Sequence, residues 1–428
     1  MRVLLTCLFT LFTATTASAF CGFYVAQEDG ALTNEASRVV FAREGWQSTI
    51  TMASDYKGPA SDFAMIVPTP SVLEERNIRT VRPETLAHLE KYTSPRLVEY
   101  PDYVYCDRDV VGGLAPEVME APVVVVDVPA SAPKPRRGPR SLGVTIEAQY
   151  AVGNYDVLIL SARQSDGLVT YLRQEGYRIP DGAEETLAAY IGMGMKFFVA
   201  RVNLGRHAAS ERQDLSPLQI SFQSRNFMLP LQLGKINSAG TQDLVIMTLT
   251  RNGRVEPANY PTAEVPTDMD IPIFIERVFP AFYKQMFARA ARADTVMLEY
   301  AWDMGWCDPC ADDPLSLHEL RELGAVWVKD FKDNPSEDVF VTRMHLRYTT
   351  DSFRQDLMFR ETDNTRNFQA RYVMRQPPDT LPSCPTTQWQ AAKRAEMAEE
   401  VETLRQLTGW TRASIQDRVR QSVPDYLR

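Results

Sequence analysis

Residues 306–310 read Trp-Cys-Asp-Pro-Cys and come closest to known chemistry in this sequence. Two cysteines separated by two residues can form a redox-active dithiol, a structural disulfide or half of a metal site. In a redox enzyme, Cys307 would be the nucleophile and Cys310 the resolving thiol. The residues around the motif therefore provide the evidence for choosing among these three roles.

The motif resembles the W-C-G-P-C sequence of thioredoxin-type enzymes, and the apolar residues 296–302 before it predict the strand that such enzymes place there. In that family the first cysteine starts a helix, whose positive end favours the reactive thiolate. Here the pattern Ser316 to Glu319 is a capping box, which predicts a helix that begins after Cys310 and ends at Gly324. Neither cysteine is then expected at a helix N-terminus.

Negative charge surrounds the two cysteines. Four aspartates lie within a few residues of them, namely Asp303, Asp308, Asp312 and Asp313. A nearby like charge disfavours the thiolate and raises the thiol pKa. The motif is therefore interpreted as a structural disulfide, with the redox dithiol as the alternative.

Metal binding at the motif would need two further ligands, which His318, His345 or the aspartates could supply. The sequence contains no second C-x-x-C and no H-x-x-x-H that would complete such a site. No metal ion and no cofactor is predicted.

Export to an oxidising compartment would lead most of the cysteines to pair. The candidates are Cys21, Cys106, Cys307, Cys310 and Cys384. A bond between Cys307 and Cys310 closes a short loop and would contribute about 2 kcal/mol, whereas a long-range pair would contribute about 4–5 kcal/mol. The odd number leaves one cysteine over, and the pairing stays open.

A second group of candidate residues is basic. Residues 339–348 and 366–375 alternate between apolar and basic side chains, which predicts two strands that each carry a basic outer face. The candidate anion-binding residues are Arg343, His345, Arg347, Arg371 and Arg375. If the strands are adjacent, these side chains would suit carboxylate or phosphate groups of an anionic envelope component. The alternative is that nearby acids neutralise them, namely Asp351, Asp356, Glu361 and Asp363.

The first 19 residues predict a secretory signal peptide, with a positive charge at Arg2, a short apolar run and an Ala-Ser-Ala cleavage sequence. Cleavage after Ala19 would place the protein in the periplasm or outside the cell. The formal net charge of −9 argues against a nucleic-acid partner, because an acidic surface repels phosphates. No later segment is apolar over enough residues to predict a transmembrane helix.

Helical and strand patterns are mixed without regular βαβ alternation, which predicts a multi-domain α+β protein with antiparallel sheets, packed helices and a C-terminal helical tail. The predicted segments are a signal peptide (1–19), a β-rich domain (20–120), a Pro-rich linker (121–143), an α+β domain (144–262), an α+β domain with the C-x-x-C motif (263–385) and C-terminal helices (386–428).

No nucleotide-binding, nucleophile-elbow or zinc-protease motif is present in the sequence. We therefore expect a non-catalytic binding or envelope-associated protein, with a periplasmic thiol-disulfide oxidoreductase as the alternative.

Several stretches together resemble a bacterial secreted family catalogued as domain of unknown function 2330. They are FCGFYVA, DYKGPASDFAMIVPTP, VGNYDVLILSA, YLRQEGYRIP, FFVARVN, WCDPC, TRMHLRY, DLMFRE and LTGW. The resemblance covers most of the chain and implies an exported bacterial protein, but it implies no activity.

Overall fold

The fold is described from a computed structural model of the chain. The described residues are 23–25, 37–54, 64–104, 142–177, 179–180, 182–209, 215–236, 240–306, 308, 313–329, 338–381, 383 and 386–428. The predicted signal peptide, nearly all of the predicted linker and the five candidate disulfide cysteines lie outside these residues.

The described residues form strands throughout the chain. In chain order they are β1 (Phe23–Val25), β2 (Ser37–Glu44), β3 (Gln47–Ser54), β4 (Ala64–Thr69), β5 (Ile78–Thr80), β6 (Arg96–Pro101), β7 (Val144–Val152), β8 (Tyr155–Ala162), β9 (Lys196–Val202), β10 (Leu218–Gln223), β11 (Met228–Leu229), β12 (Gln242–Thr250), β13 (Val255–Pro257), β14 (Thr262–Glu264), β15 (Met269–Asp270), β16 (Val296–Asp303), β17 (Phe340–Tyr348), β18 (Leu357–Glu361), β19 (Phe368–Gln369) and β20 (Arg371–Gln376).

Helices alternate irregularly with these strands. They are α1 (Pro83–Thr93), α2 (Ser165–Gln174), α3 (Ala183–Gly192), α4 (Leu204–Ala209), α5 (Gln232–Ile236), α6 (Phe279–Ala290), α7 (Leu317–Glu322), α8 (Thr387–Thr408) and α9 (Arg412–Ser422). Short 3-10 helices cover Glu75–Asn77, Ile273–Val278 and Asp425–Leu427.

The largest sheet has nine strands in the order β14-β16-β17-β12-β2-β3-β10-β5, with β19 added to β16. Most neighbours are antiparallel, but β2 runs parallel to β12, and β14 runs parallel to β16. The sheet takes strands from the predicted β-rich domain and from both predicted α+β domains, so these segments share one sheet.

The second large sheet has five strands in the order β1-β4-β9-β8-β7. One of its faces packs on α2 and α3 through a core that contains Ile66, Leu168 and Leu187. Its other face shares the main core with the nine-stranded sheet, since Phe198 of β9 and Phe41 of β2 belong to the same buried cluster. The two sheets therefore pack face to face.

The outer face of the nine-stranded sheet is covered by α1 and α7, with Val40, Leu89 and Leu320 in the same buried cluster. The centre of the molecule thus has four layers, namely helices, the five-stranded sheet, the nine-stranded sheet and helices. Such a layered mixture of helices and mostly antiparallel strands confirms the α+β prediction.

Two three-stranded sheets complete the fold, in the orders β11-β18-β13 and β15-β20-β6. Helix α8 packs near α6 and β15 and buries Val401 and Leu404. Among the described residues, no helix combines the length and apolarity needed to cross a bilayer.

Candidate functional site

Asp308, between the two cysteines of the motif, points into the protein. Its side chain is fully buried and its Oδ2 accepts hydrogen bonds from Tyr300 Oη at 2.9 Å and Gln369 Nε2 at 2.6 Å. Arg96 Nη1 lies 3.9 Å from the same oxygen. This carboxylate is therefore part of a buried polar contact between β16, β19 and β6.

The predicted helix after the motif is confirmed. Ser316 caps α7 by accepting a hydrogen bond from the Glu319 backbone, and Glu319 accepts one from the Ser316 backbone at 2.8 Å. Gly324 follows the end of α7 with a positive φ of 101°. Because α7 begins at Leu317, its N-terminus lies several residues beyond Cys310 in the chain.

The alternation predicted for residues 339–348 is correct, but the face that carries the basic residues is not an outer face. Arg343 is 6% exposed and its Nε donates to Glu299 Oε2 at 2.6 Å. His345 Nδ1 lies 2.6 Å from Glu299 Oε1, and its ring stacks on Phe287 of α6 at 3.7 Å between centroids. Helix α6 covers this part of the strand, which an alternating pattern in β17 alone does not reveal.

A β-bulge places Glu299 in this cluster. Leu298 pairs with Met344 and Tyr300 pairs with Arg343, which leaves Glu299 as the extra residue of β16. The Glu299 side chain is completely buried and also accepts a hydrogen bond from Tyr283 Oη at 2.6 Å. The three donors satisfy a carboxylate that would otherwise be costly to bury.

The charges of the cluster shift its pKa values in a consistent way. Burial raises the pKa of Glu299, but the charges of His345 and Arg343 outweigh burial and lower it to about 2. Burial lowers the pKa of His345, but Glu299 and Asp243 outweigh it, so that this pKa is raised. The network favours an ionised carboxylate beside a charged imidazole.

The other candidate arginines also pair with carboxylates. Arg347 makes two hydrogen bonds with Asp243, at 2.7 and 2.8 Å. Arg371 pairs with Asp268, and Arg375 Nε lies 3.0 Å from Asp270 Oδ1. These acids differ from the four that the sequence suggested, because strand pairing and not chain proximity brings them close. Binding of an external anion by these arginines stays a prediction.

An apolar cavity lies elsewhere, between the two large sheets. Its volume is about 120 Å³. Its walls come from β3, β4, β10, β11 and the turn before β9. The lining residues are Ile50, Met52, Val67, Pro68, Pro70, Met193, Met195, Phe222, Ser224, Asn226, Met228, Leu229 and Pro230. We call this cavity the apolar cleft.

None of the side chains that line the apolar cleft is charged, and only Ser224 and Asn226 are polar. Ligand sites in proteins typically combine apolar walls with a few polar groups. Four methionines contribute to the walls, and their flexible side chains adapt to the shape of a ligand. The arrangement suits a molecule that is uncharged and mostly apolar.

Arg43 fixes the polar end of the apolar cleft. Its guanidinium donates to the backbone oxygens of Ser224 at 3.0 Å, Arg225 at 3.2 Å and Asn226 at 3.4 Å. The same group donates to Ser48 Oγ at 2.7 Å. The Arg43 side chain of β2 therefore helps to hold the loop after β10 in place.

Sequence reasoning missed the apolar cleft. Its methionines come from β3, the turn before β9 and β11, and no spacing relates them in the chain. Alternation in β3 and β4 indicates which residues face inward, but not that a gap remains between the sheets.

Among the residues that the structure describes, no group of three or more His, Cys, Asp or Glu is arranged to hold a metal ion.

The layers and the apolar cleft define an α+β protein with a cavity between packed sheets. The chain belongs to a family of uncharacterised proteins conserved in bacteria, domain of unknown function 2330, which matches residues 15–360. This confirms the resemblance found in the sequence, and α8 and α9 lie beyond the matched residues. No curated protein and no solved structure matches the chain.

Proposed function

We propose that this protein is an exported, non-catalytic binding protein of the bacterial envelope, and that the apolar cleft is its ligand-binding site. The observation that carries the proposal is a cavity of about 120 Å³ between two sheets whose lining includes no charged side chain. The ligand class that fits is an uncharged molecule, or part of one, with an apolar body and a single polar end near Ser224 and Asn226.

The sheet framework supports a preformed site. The walls of the apolar cleft are mainly strand residues. Two of them, Met52 and Val67, also belong to the core that the two sheets share. Binding to a preformed cavity avoids the entropic cost of ordering a flexible segment. Met193 lines the apolar cleft and is 57% exposed, so the cleft is open to solvent at this residue.

Titration with N-phenyl-1-naphthylamine, an uncharged apolar fluorophore, tests the proposal. We expect saturable binding with increased fluorescence. Met193→Glu should weaken binding roughly tenfold, equivalent to about 1.4 kcal/mol, because it adds a charge beside the apolar walls.

Val326→Glu is the matched control, since Val326 is 59% exposed and does not line the apolar cleft. Both variants should keep the wild-type melting temperature. An absence of saturable binding, or an equal loss in both variants, would contradict the proposal.

Thiol-disulfide exchange through Cys307 and Cys310 is less well supported than binding. Helix α7 begins too late in the chain for its positive end to activate Cys307, and Asp308 adds a buried negative charge beside the motif. We expect slow alkylation of the reduced, folded protein at mildly acidic pH. Rapid alkylation of Cys307 under those conditions would favour the oxidoreductase instead.

Export after cleavage behind Ala19 is part of the proposal and has a direct test. Mass spectrometry of the protein isolated from its native host should give a chain that starts at Phe20, and peptide mapping should show disulfides among the five remaining cysteines. A full-length chain with free thiols would exclude this localisation.

A further inference from the structure

A second cleft lies between β13, β14 and β18, and its lining residues differ from those of the apolar cleft. Its volume is about 500 Å³. Charged side chains dominate it, in particular Arg254, Glu256, Glu264 and Arg360. We call it the polar cleft.

The strand register brings these charges together. Glu256 of β13 lies directly opposite Arg360 of β18. Arg254 donates to Glu256 Oε1 from Nη2 at 2.7 Å and from Nε at 3.1 Å, while Arg360 Nη2 lies 3.4 Å from Glu256 Oε2. On the other side, Glu264 pairs with Arg366. The two arginines and two glutamates that line the polar cleft balance in charge, and Arg366 lies outside the lining, in a protein whose formal net charge is −9.

One donor of this network has no hydrogen-bond acceptor among the described residues. Arg254 Nη1 is buried and makes no hydrogen bond, and its closest carboxylate oxygen, Glu264 Oε1, is 3.8 Å away. The Arg254 side chain is only 11% exposed, so its position is fixed by its contacts with Glu256. A buried charged donor without an acceptor is costly, and a ligand oxygen at this point would satisfy it.

We propose that the polar cleft binds a small molecule that bears one carboxylate, held by Arg254 Nη1 and the exposed guanidinium of Arg360. Glu256 and Glu264 repel a monovalent carboxylate less than they repel a more highly charged anion. A phosphate monoester carries roughly −1.5 to −2 at neutral pH and would be repelled by Glu256 and Glu264.

The rest of the polar cleft indicates the size and kind of ligand. Its volume exceeds that of a bare carboxylate, and Pro257, Pro261 and Tyr260 give it flat apolar surfaces. Tyr260 Oη donates to the Gln355 backbone oxygen at 3.1 Å, which helps to fix the ring. A sugar ring that carries a carboxylate, as in a uronic acid, combines these properties, since its apolar face can pack on such surfaces.

Calorimetric titration with D-glucuronate, with D-glucose as the neutral counterpart and inorganic phosphate as the other oxyanion, tests the assignment. Glucuronate should bind at least about tenfold more tightly than either comparison compound. Arg360→Gln should weaken glucuronate binding about tenfold, and Arg254→Lys should weaken it further because it removes the rigid planar fork.

Arg420→Gln is the matched control for Arg360→Gln, because the two side chains are 63% and 64% exposed and each contacts one carboxylate. It should leave glucuronate binding unchanged. Melting curves of all variants establish that they are folded.

Equal binding of glucuronate and glucose, tighter binding of phosphate, or an equal effect of Arg420→Gln and Arg360→Gln would overturn the assignment. Naphthylamine binding should be the same in Arg360→Gln and in wild type, so that failure at one cleft is distinguishable from failure at the other.

Discussion

Two buried groups of charges hold helices against the sheets, and they differ in the balance of charge. Glu299 under α6 is contacted by Arg343, His345 and Tyr283, so that a single carboxylate has several donors. Lys393 of α8, whose side chain is 4% exposed, has the opposite arrangement. Three carboxylates lie within 4.0 Å of its ammonium, namely Asp102, Glu396 and Glu400.

The pKa values follow from this balance. Both Glu299 and Glu400 are buried, which raises the pKa of a carboxylate. At Glu299 the neighbouring cations outweigh burial and lower the pKa to about 2. At Glu400 burial is only partly opposed by Lys393, and Asp270, Glu396 and Asp102 add repulsion, so that the pKa rises to about 7. Burial alone therefore does not determine the charge state of these two carboxylates, because the neighbouring cations and anions also shift their pKa values.

The largest expected effect is that of Glu299→Gln. The substitution removes the negative charge that pairs with the two buried cations Arg343 and His345. It should therefore lower the free energy of unfolding by about 3–5 kcal/mol. Urea denaturation at pH 7 measures it. Glu402→Gln is the control, since Glu402 contacts Arg405 and Arg412 at the surface and its removal should cause no measurable change. A similar result for both variants would mean that the donors around Glu299 contribute little.

The second prediction concerns pH and Glu400. Its pKa is about 7 in the folded protein, against 4.5 for an unperturbed glutamate, so the folded state holds more protons between these pH values. The contribution of Glu400 to stability should therefore fall as pH rises from 4.5 to 7, by about 3 kcal/mol in total. Glu400→Gln should remove this part of the pH dependence in a denaturation series.

Glu299 should behave in the opposite sense, since its folded pKa of about 2 means that its stabilisation is present above pH 4.5 and is lost as pH falls towards 2. The control for Glu400 is Glu399→Gln, its exposed neighbour on α8, which should leave the slope unchanged. If wild type and Glu400→Gln have the same slope between pH 4.5 and 7, the proposed contrast between the two groups is wrong.

The smallest expected effect is that of Arg347→Gln. Arg347 is 19% exposed and makes two charge-assisted hydrogen bonds with Asp243, which is also 3.4 Å from His345 Nε2. Because solvent still reaches this pair, we expect a loss of about 1–2 kcal/mol in the free energy of unfolding. The control is Arg405→Gln at the surface of α8, which should have no measurable effect. If Arg347→Gln lost as much stability as Glu299→Gln, the Arg347–Asp243 pair would act as part of the buried group around Glu299.

Local features of the fold could be predicted from the sequence. Pro83 begins α1 at the first turn, where a missing N–H costs nothing, and the capping box at Ser316 begins α7. The alternation in β17 correctly separates Phe340 and Met344 from Arg343 and His345. Caps and alternation depend on residues within one element, so a single sequence contains the necessary information.

The surroundings of those elements could not be predicted in the same way. Whether Arg343 faces solvent depends on α6 and on Glu299, and Glu299 reaches it because of a bulge that no pattern in β16 indicates. The methionines of the apolar cleft likewise belong to separate elements. Tertiary packing decides what covers a face, and it brings together residues that are far apart in the chain.

The parallel pairing of β2 with β12 has a consequence for how the chain folds. The β2–β3 hairpin is synthesised early, whereas β12 and its partner β17 come from the middle and the last quarter of the chain. Until they are available, β2 has an unpaired edge that can associate with other chains. Such non-local pairing slows folding, so refolding from denaturant should be slow and its yield should fall as protein concentration increases.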